Sequence, residues 1–132
     1  MSSENPLKVV VAEGAQARTV KELGLLPFGG VKVLTLEQYG VALPLYRLLT
    51  HAPTAPSLGE LIPRIAPRPA LLISSGTGYE QQMNREYKKR AGRGTVLWGI
   101  PDAPHTGGLA THPVEYEQRV IGFFNRALLG HS

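Results

Sequence analysis

Among the side chains able to move a proton or attack a carbonyl, His105 has the most informative setting. It follows the strand-like run TVLWGI, Thr95 to Ile100, and sits in the loop PDAPHTGG ahead of HPVEYEQRVIGFFNRALLG, an amphipathic helix pattern. An imidazole at the end of a strand, in a loop stiffened by Pro101 and Pro104, can reach a reactant while packing beneath holds it in place. That placement suits general-base catalysis. His112 reads as a helix-start residue before Pro113, whose missing N–H costs little in a first turn. His51 and His131 lie elsewhere in the sequence, no H-x-x-x-H or paired-carboxylate spacing occurs, and neither a metal nor a cofactor is expected. Gly107 and Gly108, directly after His105, admit two readings: close approach of a substrate, with Gly107 as a binding residue, or a turn that needs positive φ. GTGYE and GRG lack the Lys-Ser or Lys-Thr of a phosphate loop, which disfavours nucleotide binding.

The elements that must hold these groups alternate between strand and helix. Leu7 to Ala12 is a β-branched run of the kind found in parallel strands buried on both faces, and Ala70 to Ser75 and Thr95 to Ile100 share its character. Helix patterns follow at 80–92 and 113–129. Between 18 and 65 the chain makes a helical excursion, TVKELG, then TLEQYGVALPLYRLLT with Pro44 interrupting, then SLGELIPRI. Strand–helix alternation implies right-handed parallel crossovers and an α/β fold class with about three parallel strands. Trp98, inside a strand run, is expected to pack in the core.

Composition describes one domain over 1–132. With 42% hydrophobic and 18% charged residues among 132, the chain can bury a core, and its 15 Gly and 11 Pro are scattered through turns without a repeat. The absence of cysteine removes disulfides and Cys-based zinc sites. No segment approaches the roughly 18 apolar residues of a membrane span. The expectation is a cytoplasmic chain with no membrane partner, although a signal or anchor could lie in preceding sequence. The charge of +4 and the cluster Arg85, Lys88, Lys89, Arg90 and Arg93 raise a nucleic-acid reading. It is the least favoured, because Met83, Tyr87 and Ala91 form an apolar stripe that would face a sheet and leave those cations in water.

Beyond Leu61, the segments IPRIAPRPALLISSGTGYEQQ and TVLWGIPDAPHTGG resemble the C-terminal end of α/β-hydrolase-fold enzymes related to dienelactone hydrolases and prolyl-oligopeptidase-type esterases. In those proteins a Pro-Arg-Pro introduces a strand, an acid-bearing loop follows it, and a P-x-A-x-H turn follows the next strand. LKVVVAEGAQARTVKELG is similar to the strand just after the nucleophile helix. The resemblance spans nearly the whole chain but only the rear half of the family's domain. It implies a three-layer partial α/β-hydrolase fold, with the excursion at 18–65 as a cap or a pocket wall.

The resemblance also implies a serine hydrolase acting on a small-molecule ester or related acyl compound, with His105 as triad base. The loop SSGTGYEQQ should bear the acid, and its only carboxylate is Glu80. Glu80 is therefore favoured as the orienting acid, in place of the usual Asp, over a reading in which it merely charges a helix N-terminus. Asp102, the only Asp in the chain, reads as a turn residue. Glu13, ending the first strand, either lines the substrate site or serves as a cap or salt bridge for a helix near Thr19, with Arg18 as a partner. None of Ser2, Ser3, Ser57, Ser74, Ser75 and Ser132 stands in a G-x-S-x-G elbow. MSSENPLK resembles the tail of the nucleophile helix, which places the nucleophile upstream and predicts an isolated chain without activity. The alternative is a non-catalytic module that pairs through an exposed sheet edge, with itself or with a complementary N-terminal half.

Overall fold

A computed structural model describes residues 7–17, 19–24, 30–53, 56–76 and 79–130. Three parallel strands, β1 (Val10–Glu13), β2 (Ala70–Ser75) and β3 (Thr95–Ile100), lie side by side in chain order. The register sets Val10 beside Ala70, Ala70 beside Thr95, and Ser75 beside Ile100. The helices are α1 (Val20–Leu23), α2 (Gly30–Thr50), α3 (Leu58–Leu61) with a 3-10 turn after it (Ile62–Arg64), α4 (Glu80–Arg90), α5 (Gly108–Thr111) and α6 (Pro113–Leu129).

β2 is central, and all six of its residues are buried. Side chains alternate across a strand, so its two faces feed separate cores. Leu72 joins Met83, Tyr87 and Ala91 from α4 and its end, with Ala17 and Ile62. Leu71 and Ile73 join Trp98 and Ile100 of β3, Ala103, and Phe123 of α6. The sheet is thus covered by α4 on one face and α6 on the other, which explains why an apolar run without alternation occupies β2. Trp98 belongs to the second core: its ring centroid is 5.8 Å from that of Tyr116, and the Arg119 guanidinium lies 4.7 Å over it.

Several element bounds differ from the sequence expectation. β1 pairs from Val10 rather than Leu7, because its partner starts at Ala70 and the Val10 N–H bonds Pro69 O at 3.1 Å. α4 stops at Arg90, two residues early, where Ala91 turns into Gly92 at φ 76°. α2 runs unbroken through Pro44. Proline removes one hydrogen bond to the carbonyl four residues back, here that of Gly40, and both residues are exposed, so water can take the bond's place. No helix among the described residues is long and apolar enough to cross a membrane.

Candidate functional site

The loops that leave the carboxyl ends of the three strands converge, as parallel α/β sheets favour for ligand sites. Glu80 opens α4 with its side chain folded back toward the end of β2. One carboxylate oxygen, Oε1, accepts the Ser75 N–H at 2.6 Å, and the other, Oε2, accepts the Ser75 hydroxyl at 2.9 Å. The side chain is 1% exposed. His105, in the loop after β3, places Nδ1 at 2.7 Å from Glu80 Oε2 while its own side chain stays 48% exposed.

That contact fixes the tautomer. An ionised carboxylate only accepts, so in the neutral ring Nδ1 carries the proton and Nε2 keeps its lone pair. The Gln16 side-chain amide also lies 3.3 Å from Nδ1, and with its oxygen turned to the ring it offers Nδ1–H a second, longer acceptor. Nε2 has no hydrogen bond among the described residues and belongs to a largely exposed ring.

Backbone contacts hold the two loops together. The Gly76 N–H bonds Ala103 O at 3.2 Å, and a Cβ on Gly76 would lie 1.8 Å from Pro101 O, so only glycine allows this approach. On α4, Asn84 sits one turn beyond Glu80 and donates to Glu80 O at 2.8 Å and Ala15 O at 2.9 Å. The β1 loop is thereby tied to the helix that carries the acid.

Glu13 makes two contacts that neither sequence expectation named. Its Oε1 accepts the Gly108 N–H at 2.8 Å and its Oε2 accepts the Tyr116 hydroxyl at 2.8 Å, so the carboxylate spans α5 and α6. The helix near Thr19 is capped by Thr19 itself, which accepts the Glu22 N–H at 3.2 Å, and Arg18 lies outside the described residues. Burial, then the hydrogen bond to Glu13 and its charge, push the Tyr116 phenol up to about 12. Gly107 caps α5 at φ −99°, and a Cβ there would meet Pro104 at 2.6 Å. Its smallness serves the loop's own turn. The left-handed residue of this loop is Thr106, at φ 53°.

Asp102 is a turn residue with a partner: its Oδ2 lies 2.7 Å from His112 Nε2, on the exposed side of the loop. It does not meet His105. Ser57 caps α3 in a reciprocal arrangement with Glu60, and Ser74 and Ser75 are each 2% exposed. Ser2, Ser3, Ser132 and His131 lie outside the described residues. The basic cluster lies on the outer side of α4: Arg85, Lys89 and Arg90 are exposed, and Lys89 pairs with Glu86 at 2.6 Å. Sequence reasoning passed over Gln16, Asn84 and Tyr116. Of these, Asn84 alone carries a local signal, its position four residues after Glu80 on one helix.

The arrangement can accept a proton at Nε2 and stabilise the resulting imidazolium with the negative charge of a buried carboxylate. Searched against known protein families, curated proteins and solved structures, the chain matches none.

Proposed function

We propose that these residues form the C-terminal portion of an α/β-fold serine hydrolase that cleaves esters or related acyl bonds, with His105 as general base and Glu80 as its orienting acid. The observation that carries this reading is the 2.7 Å contact between His105 Nδ1 and Glu80 Oε2, made by residues from two adjacent strand ends. The outward Nε2 takes the proton of a serine hydroxyl as its oxygen bonds to the acyl carbon. The imidazolium then returns that proton to the departing alkoxide, and a water repeats the cycle to release the acid. Glu80 keeps the ring in the required tautomer and stabilises the cation. The nucleophile comes from sequence outside these 132 residues.

The test is ester turnover by the purified 132-residue chain. Expected is a rate no higher than free imidazole gives, without saturation, and no change in His105→Ala. Saturable turnover lost in His105→Ala would overturn the placement of the nucleophile. The coding sequence ahead of Met1 is the companion test: this reading expects an in-frame strand, G-x-S-x-G and helix.

A second reading, assembly through a sheet edge, is favoured by β1. All four of its residues are only half-buried, against six fully buried residues in β2, and its outer edge has no strand partner among the described residues. Light scattering would give a dimer or a complex with a complementary half under this reading. A monomer at every concentration would count against it.

A further inference from the structure

We infer that Gly14 is a positioning residue for His105: its backbone is the wall against which the imidazole lies, keeping Nδ1 on Glu80 and Nε2 outward. The inference rests on the base–acid reading above. A ring that is 48% exposed is not immobilised by burial, and its contacts to Glu80 and Gln16 both fall on Nδ1, which leaves the rest of the ring free to swing about that atom. Something else must fix its plane. At Gly14 an added Cβ would lie 2.7 Å from His105 Cε1 and 3.1 Å from Nδ1, and 2.8 Å from Thr106 Cγ2. The ring and the loop that bears it therefore occupy the space a side chain would fill.

The wall is itself held in place. Gly14 sits at φ 73°, and its N–H bonds Ile73 O of β2 at 3.0 Å. Its neighbour Ala15 accepts Asn84 from α4 at 2.9 Å. On the far side, Glu13 grips Gly108 and Tyr116, which anchors the end of the His105 loop. Glycine is required at position 14 twice over, for its backbone angle and for the space beside the ring, and only the second requirement bears on the imidazole.

Gly92 separates the two. It has φ 76°, yet its nearest neighbour to an added Cβ is Ala66 at 3.7 Å, an ordinary contact. Gly92→Ala introduces similar backbone strain away from the ring.

The experiment reads the His105 tautomer by imidazole ¹⁵N resonances of the 132-residue chain with the ring neutral. Wild type and Gly92→Ala are expected to show the Nδ1–H form, and Gly14→Ala a shift toward the Nε2–H form that free imidazole side chains prefer. Wild type is also expected to show a nuclear Overhauser contact between the Gly14 Hα protons and His105 Hε1. If wild type is Nε2–H, the base–acid reading itself falls. If wild type is Nδ1–H and Gly14→Ala keeps that form, the positioning role of Gly14 alone falls. Should Gly14→Ala not fold, the wild-type contact decides, and its absence overturns the proposal.

Discussion

His105 Nδ1 and Glu80 Oε2 stand 2.7 Å apart although 25 residues separate them in the chain. They meet because β2 and β3 are parallel neighbours in register from Ala70–Thr95 to Ser75–Ile100, so both loops leave from one end of the sheet. The pair differs sharply in environment, one member 1% exposed and the other 48%. One carboxyl locked in the protein and one ring open to solvent is the division the proposed base–acid pair requires.

Glu80→Ala removes a charged acceptor shared by the buried Ser75 N–H, the Ser75 hydroxyl and His105. Losing a hydrogen bond to a charged group costs about 1.5–3 kcal/mol. Urea unfolding should show a lower midpoint at unchanged slope, with Glu80→Gln less destabilised because its amide oxygen still accepts from Ser75.

Two glycines should respond oppositely to alanine. At Gly76 the new Cβ would sit 1.8 Å from backbone Pro101 O, so the β2 and β3 loops must part. A loss above ~3 kcal/mol is expected, at the severe end of single substitutions. Gly40 lies inside α2 with nothing within 4 Å of an added Cβ, and Gly40→Ala should stabilise by about 0.5–1 kcal/mol. Thermal melts of the two variants check both signs.

Tyr116 makes stability fall in alkali. Its phenol is raised from 10.0 to about 12 in the fold, so the stabilisation it contributes is complete below pH 10 and is lost as pH rises toward 12. In that window the unfolded chain ionises first. The stability difference between wild type and Tyr116→Phe should therefore shrink across it, as read by denaturant titrations at successive pH values.

Glu60 acts in the opposite direction. The Ser57 N–H, then the Ser57 hydroxyl and the charge of Lys21, hold its carboxyl below the usual 4.5. Its contribution is present above that value and is lost as pH falls through the lowered one. The gap between wild type and Glu60→Gln should close in acid. Ser57→Ala, which deletes the cap on the Glu60 N–H, should cost ~1 kcal/mol at neutral pH.

The strands at Ala70–Ser75 and Thr95–Ile100 and the helix at Pro113–Leu129 are legible in the residues, because apolar runs and a 3.6-residue period are properties of neighbours along the chain. Pro44 misleads by the same local logic: its exposed position in α2 tolerates what a buried helix would not. His105 can be nominated from its loop and Glu80 from a resemblance. Their meeting is another matter, as are the Glu13 bridge to Gly108 and Tyr116, the Asp102–His112 pair and the contact of Gly14 with the imidazole. Each depends on strand order, register and the face from which a loop departs. Those are set by how two separate cores bury the sheet, and side chains that touch only through such packing leave no periodic trace in the chain.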